Sequence, residues 1–509
     1  MSTLELTPEL EARLDSALQV MGYTQLYPEQ AESIRLNVAN KPTLTLLSTG
    51  GGKTACYVIP GLVRKRITVV VSPLIALQND QVNALKERGI PAFLYNSDVP
   101  EHEREVIAGK VKKLKEVGQP AFLFVSPESL ISVRFTDLFG GGLLDFMAID
   151  EVHCVSTWGN SFRPDYQRLG KAAMELGITR CGGYTATCTG KIKKDIFRYT
   201  TLDEKTCRVV MGDAFRPNLH IRVVSDADLE GDAKQKADQK KQRLIKLTKA
   251  ARGAVIVYCG SRRGCESMYD HLPLRMQLRK QGYTTYLYHA EIIKEEKRKA
   301  ERGFENDRKP LVFATNAFGM GIDRSDVGLV VHYNNPFNLL GYAQEIGRAG
   351  RDGEDADCVT FFDPERIEAD ETYRTFSLPT VAFVEQTHER LKKAFLKRKK
   401  SAGGASYSTS KFMRMLEHLV RGNEDFSEPD RFINRTRESL AILKQAGYIV
   451  EDGDEPFKMI GLTPGNKRHG KLIELTQMTE RSEVAQAAAI AAFFTAKSPD
   501  QHLLWKLLE

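Results

Sequence analysis

Ten short runs of β-branched and other apolar residues, separated by stretches with helical spacing, govern what this 509-residue chain can fold into. Parallel strands are buried on both faces and so read as continuous apolar runs. Each needs a crossover, usually a helix, before the next can be laid beside it. The first group of runs is 43–48, 67–72, 121–126, 144–150 and 183–187; the second is 254–259, 284–289, 311–316, 328–333 and 357–363. Each group predicts one doubly wound parallel α/β domain, with the join near 212–217, where Gly and Pro interrupt the pattern. After Asp363 helical patterns dominate to about Leu396, followed by the basic run Lys397 to Lys400 and a flexible stretch at 401–408. Helices near 411–420 and 431–445 and β-like segments at 448–450 and 457–462, around an acidic turn at 451–455, give a winged-helix-like order. The expected domains are 1–213, 214–364, a helical and basic linker at 365–405, and a mostly helical C-terminal domain at 406–509.

Composition narrows the class further. A hydrophobic share of 42% and a charged share of 27% exclude a disordered, collagenous or disulfide-stapled chain. The eight cysteines are scattered without any Cys-x-x-Cys pair, which signals neither a zinc ribbon nor a disulfide framework and fits a reducing, intracellular compartment. The start of the chain is acidic and amphipathic, unlike a secretory signal. The apolar stretch 487–496 falls well short of the roughly 20 residues a membrane span needs, so no membrane partner is expected. The net charge of +7 points only weakly to a polyanionic partner. The Lys/Gln/Asp-rich stretch 231–243 reads as a solvated helix start.

The chemistry concentrates in a few motifs. Segment 48–54, Ser-Thr-Gly-Gly-Gly-Lys-Thr, follows an apolar strand and precedes a helical pattern. Gly50, Gly51 and Gly52 let backbone N–H groups turn toward phosphate oxygens, Lys53 would reach the outer phosphates, and the Thr54 hydroxyl would ligate Mg²⁺. Leu47 stands where the strict motif has glycine. About a hundred residues on, Asp150 and Glu151 end another apolar run and continue into Val152 and His153. At the tip of a core strand, Asp150 would join the Mg²⁺ shell and Glu151 would orient or deprotonate an attacking water. Segment 344–353, Gln-Glu-Ile-Gly-Arg-Ala-Gly-Arg-Asp-Gly, lies in the second group; Arg348 and Arg351 can reach a phosphate on the first sheet if the two sheets face one cleft. Thr185-Ala-Thr187 closes the first sheet. In the Gly/Pro/Ser/Asn-rich stretch after the acidic pair, Trp158, Phe162 and Tyr166 interleave with Arg163, a mix suited to stacking on unpaired bases beside a phosphate; the loop-like composition predicts exposure.

Taken in this order, the motifs resemble the RecQ family of superfamily 2 DNA helicases, over about residues 20–364. The resemblance implies two tandem RecA-like domains, use of ATP and Mg²⁺, binding of single-stranded and duplex DNA, and 3′-to-5′ movement. Tyr23 and Gln30 match the family's adenine-reading segment, and Thr49 to Thr54 its phosphate loop, where the first glycine is absent too. Ser72 and Pro73, Ser261 and Arg262, and Thr315 fall in segments that resemble its strand-contacting motifs. Segment 156–166 resembles its aromatic-rich loop, with Trp158, Phe162 and Arg163 toward DNA; His153, Gln344, Arg348 and Arg351 match residues of its catalytic motifs. Segment 215–218, Phe-Arg-Pro-Asn, matches as well, at the domain junction. Departures are Tyr27 in place of Arg, Val152 in place of Ala, and Asn160-Ser161 in place of a His-Asp pair. No cysteine follows Cys358, so the family's four-cysteine zinc module is expected to be absent or replaced, and no structural zinc is expected. Two other readings stay open: an RNA helicase on the same scaffold, and an ATP-gated DNA-binding scaffold that does not separate strands.

Overall fold

The computed structural model describes residues 5–47, 50–73, 75–156, 164–186, 188–212, 216–319, 324–376, 378–401, 429–450, 458–460, 464–496 and 499–508, with 413, 416 and 462. They form two compact units, one running to Pro364 and resuming at Ala492, the other spanning Glu365–Ala491. Thr49, Trp158, Phe162, Arg163 and Thr187, most of the expected helix at 411–420, and the acidic turn lie outside the described residues. Among the described residues no helix is long and apolar enough to cross a membrane.

The first unit contains two parallel sheets. One holds β1 (Thr43–Leu46), β2 (Ile67–Val71), β3 (Ala92–Tyr95), β4 (Ala121–Val125), β5 (Phe146–Asp150), β6 (Cys181–Thr185) and β7 (Arg208–Met211), in the order β3-β4-β2-β5-β6-β1-β7. The other holds β8 (Leu219–Ser225), β9 (Ala254–Tyr258), β10 (Thr284–Tyr288), β11 (Pro310–Ala314), β12 (Val327–His332) and β13 (Ala356–Phe362), in the order β10-β11-β9-β12-β13-β8. All ten expected strands are present with ends within two residues of the expected ones. Three more, β3, β7 and β8, carry no continuous β-branched run. Each is the outermost strand of its sheet, where one side is uncovered and the demand for apolar residues falls. Aliphatic and aromatic side chains fill both faces of the first sheet, Val69, Leu123, Ile149 and Leu169 on one and Val70, Phe122, Phe124 and Tyr184 on the other.

Strand order positions the chemistry. In the sequence β5-β6-β1, Asp150 pairs with Tyr184 and Leu46 with Thr185. The acidic pair, Thr185 and the loop after β1 therefore emerge side by side at the carboxyl edge, where open parallel sheets bind ligands.

The 231–243 stretch becomes part of helix Ala233–Ala250, but it is not wholly solvated: Lys240 is buried against Asp226 at 2.6 Å. In the second unit, helices Val381–Ser401 and Pro429–Gln445 pack through Val384, Leu391, Leu440 and Leu443 around the buried Tyr448. β14 (Ile449–Val450) pairs antiparallel with β15 (Lys458–Met459) after the second of these helices. Two expected boundaries need correction. Residues 365–405 are no linker: the second unit begins at Glu365, and Val384 and Leu391 of helix Val381–Ser401 pack in its core. Residues 492–509 were assigned to the C-terminal domain, yet from Ala492 the chain belongs to the first unit, because Phe493, Phe494 and Gln501 bury themselves against its second sheet domain.

Candidate active site

The loop after β1 owes its path to glycine. Gly50 and Gly52 have φ of +81° and +71°, and Gly52 caps helix Lys53–Val63. At Gly52 space is also short: an added Cβ would lie 2.2 Å from Gln30 Nε2. The buried Gln30 donates to Gly51 O at 2.9 Å and accepts from Tyr27 N at 2.9 Å, and the Tyr23 hydroxyl stands beside it, 4.0 Å from that Cβ position. Tyr23, Gln30 and the phosphate loop thus converge, while the Tyr27 side chain is 69% exposed next to them. Lys53 Nζ donates to Leu47 O at 3.3 Å. The Thr54 hydroxyl accepts from Gln81 Nε2 at 3.1 Å, and Gln81 Oε1 accepts from the Tyr57 hydroxyl at 3.2 Å.

Asp150 is buried at the end of β5 and accepts from Glu151 N at 3.0 Å. Burial, reinforced by the charge of Glu151, raises the Asp150 pKa above the usual carboxylate range, with Lys53 pulling the other way. Glu151 adopts a left-handed backbone, φ +48°, rare for a residue with a side chain and held here at the head of the turn Val152–Val155. Burial would raise its pKa too, but His153, Lys53 and Arg348 outweigh it and hold the carboxylate ionised. His153 Nδ1 lies 3.2 Å from Glu151 Oε2 and 2.7 Å from Thr185 Oγ1, so the imidazole bridges the acidic pair and the end of β6. Burial opposes its charged form, and its contacts with Cys154 and Glu151 raise its pKa nonetheless.

The second sheet supplies cations to the same cleft. An added Cβ on Gly50 would sit 3.2 Å from Arg351 Cδ, which places that side chain across the phosphate loop. Arg348 donates to Gly319 O and is close enough to Glu151 to lower its pKa. Helix Leu339–Ile346 leads into this arginine turn and carries Gln344. It is tied to β12 by the bond of Glu345 Oε2 to the buried His332 Nε2 at 2.8 Å.

Two family models match the chain: the DEAD/DEAH box helicase at residues 27–196 and the helicase conserved C-terminal domain at residues 239–353. The chain is 34% identical to the ATP-dependent DNA helicase RecQ of Pasteurella multocida over 357 residues, 70% of this chain and 53% of the relative. It is 31% identical to the probable ATP-dependent DNA helicase RecS of Bacillus subtilis over 354 residues, 69% of this chain and 67% of that protein. The chain belongs to the RecQ family of DNA helicases. It spans about half the length of the first of these relatives. The DUF1998 helicase MrfA bound to DNA shares the fold, with a TM-score of 0.58 at 19% identity over 91% of this chain and 64% of MrfA.

The RecQ strand-contacting positions are placed unevenly. Ser72 and Pro73 are buried, so neither side chain faces solvent. Gln78 Nε2 donates to Ser72 O at 2.8 Å, and Asn96 donates to Gln78 Oε1 at 2.9 Å. Ser261 caps helix Arg262–Asp270 by accepting from Gly264 N at 3.1 Å, Arg262 pairs with Glu291, and Thr315 follows β11 partly exposed. Tyr166 corrects the expected exposure of the aromatic-rich loop. It is fully buried and its hydroxyl donates to Asp150 O at 2.9 Å, because the chain has already turned back into the core. At the other end of the loop Ser156 donates to Asp195 at 2.6 Å. Sequence reading missed Gln81 and Gln78. The available signal was two glutamines three residues apart in helix Ile75–Glu87, on the face turned toward Thr54 and Ser72.

Proposed function

We propose that this chain is an ATP- and Mg²⁺-dependent DNA helicase of RecQ type, coupling ATP hydrolysis to 3′-to-5′ movement on one strand and to duplex separation. One observation carries the reading: the phosphate loop, the acidic pair and both motif arginines meet in one cleft between two parallel sheets. Arg351 lies across Gly50, and Arg348 acts on Glu151. Thr54 and Asp150 suit the metal, since Asp150 is a buried carboxyl crowded by a second negative charge. Held by these two residues, Mg²⁺ would supply positive charge against the phosphates. Lys53 holds the outer phosphates, Glu151 orients the attacking water from a position stabilised by His153, and Arg348 and Arg351 stabilise charge on the transferred phosphoryl group. Tyr23 and Gln30 read the adenine, and Tyr27 offers an aromatic face where the family has a guanidinium. Strand binding falls to Trp158, Phe162 and Arg163, whose loop is anchored by Tyr166 to the acidic strand and by Ser156 to Asp195 of helix Gly190–Tyr199. That anchorage supports coupling between DNA and the acidic pair. Residues 1–213 and 214–364 act as the two lobes, and helices Val381–Ser401 and Pro429–Gln445 with the β-ladder of the second unit as a winged-helix-like module.

The test is ATP turnover and unwinding of 3′-tailed, 5′-tailed and forked duplexes by the wild type and Lys53→Ala. Turnover stimulated by DNA, lost in the variant with DNA binding retained, is expected; near-normal turnover by Lys53→Ala sinks the assigned site. The second reading is an ATP-gated DNA-binding scaffold or translocase subunit that does not separate strands. Turnover without unwinding of any duplex would select it.

A further inference from the structure

The arginine turn is held by a part of the chain that lies outside both matched family models. Arg216, in the Phe-Arg-Pro-Asn segment, donates through its guanidinium to Gly347 O at 3.1 Å and to Gly350 O, the carbonyls that flank Arg348 and Ala349. Asn218 Nδ2 donates to Gly350 O and Glu354 O, both at 2.8 Å. Gly350 has φ +54°, and an added Cβ there would lie 2.5 Å from Asn218 Nδ2. The turn therefore follows the shape of the 216–218 segment. That segment is itself clamped by Gln501. The Gln501 side chain accepts from Arg216 N at 2.8 Å and donates to Arg216 O at 2.6 Å and Leu219 O at 3.1 Å. It is 95% buried (5% exposed) at the start of helix Gln501–Leu508, whose first turn Asp500 caps by accepting from Leu503 N at 2.9 Å.

A second contact reaches the same element from the other side. Phe494 packs edge-on against Tyr342, ring centroids 5.1 Å apart, and stacks on Phe362 at 5.1 Å; Phe493 adds a contact to Tyr342 at 5.7 Å. Tyr342 is fully buried on helix Leu339–Ile346, six residues before Arg348. The chain between Pro364 and Ala492 forms the other unit, so the segment that closes on the arginine turn is separated from it in sequence by a whole unit.

We propose that the segment from Ala492 to Leu508 is a clasp that sets the position of Arg348 and Arg351, with Gln501 as its positioning residue acting through Arg216. A carboxamide is suited to this: it satisfies a backbone N–H and two carbonyls at once, which neither an apolar side chain nor a carboxylate can do. A group used only as the transition state forms changes turnover and leaves nucleotide affinity alone. The kinetic consequence rests on the ATP-hydrolysis reading above; the effect on backbone order does not.

The experiment uses the full chain with Gln501→Ala and Gln501→Glu, the latter keeping size and acceptors but losing both donors. Hydrogen exchange of peptides covering 347–353, without nucleotide, should quicken about tenfold in both variants while β1 to β6 keep their protection. DNA-stimulated kcat should fall about tenfold with KM for ATP within twofold, and Gln501→Ala should add less than twofold in an Arg348→Ala background. Unchanged exchange at 347–353 overturns the clasp. A kcat loss of equal size in the Arg348→Ala background, or a KM rising in step, overturns its action through the arginines. A wild type that hydrolyses no ATP refutes the enzymatic reading alone, and the exchange result still decides the clasp.

Discussion

A methyl group at Gly52 meets two separate obstacles. With φ at +71°, a non-glycine residue costs ~1–2 kcal/mol in that conformation. Its Cβ would also lie 2.2 Å from Gln30 Nε2, so the carboxamide must leave, abandoning Gly51 O and Tyr27 N. Losing these two part-buried hydrogen bonds costs about 0.5–1.5 kcal/mol each, for a total of about 2–5 kcal/mol felt wherever the loop must take its nucleotide-binding shape. At ~1.4 kcal/mol per tenfold, Gly52→Ala should weaken ATP binding by roughly thirty-fold or more, measured by titration with a fluorescent ATP analogue. The two obstacles separate in a double-mutant cycle. In a Gln30→Ala background the collision is gone and the methyl should cost only the backbone part, about 5- to 30-fold. Wild-type affinity in Gly52→Ala, or an equal loss in both backgrounds, would refute this account of the loop.

Three further outcomes are expected. At Gly319, φ is +128° and an added Cβ would stand 2.2 Å from Arg348 Cζ, so Gly319→Ala should displace the guanidinium and lower kcat by about 10²–10³-fold, with KM for ATP little changed in steady-state assays. Thr185→Val removes the hydroxyl 2.7 Å from His153 Nδ1 and frees the imidazole from β6; DNA-stimulated turnover should drop about tenfold with nucleotide affinity intact, and unaltered turnover would dismiss the relay. In the second unit, burial lowers the pKa of His388, whose Nε2 bonds Ile460 O at 2.8 Å and whose Nδ1 faces Glu389 near Lys392. The folded pKa lies below the unfolded 6.5, so the stability is complete above that pH and is lost below it as the unfolded chain takes up a proton first. Thermal unfolding of the second unit should shift downward from pH 7.5 to 5.5 in the wild type and much less in His388→Gln.

The legible part of this fold is its interior. β2, β4 and β5 are buried at every position, which forces an uninterrupted apolar run and makes each visible without alignment. β7 reads Arg-Val-Val-Met and is exposed at both ends, because an edge strand answers to one neighbour and to solvent. The same reasoning applies to Tyr166. It sits in an aromatic-rich stretch whose composition predicts exposure, yet its burial goes with a bond to Asp150 O, a partner sixteen residues away that composition does not encode.

The active site divides along a similar line. Its glycine loop and acidic pair depend on residues next to one another in sequence: Gly50 and Gly52 for the turn, Lys53 and Thr54 at the start of the helix that follows, Asp150 and Glu151 at a strand tip. Local chemistry of that kind survives in a short motif. What brings the second sheet's arginines to the first sheet's glycine loop is spread over the chain, through Gly319, Arg216 and Gln501, and each contributes a backbone contact or an empty space. A lone glutamine that binds two carbonyls and an amide has no periodicity or spacing to betray it. Its partners are also 282 and 285 residues away. In the proposed motor, whose rate depends on how two lobes meet, every motif can therefore stay intact while a residue such as Gln501, far outside them, retunes it.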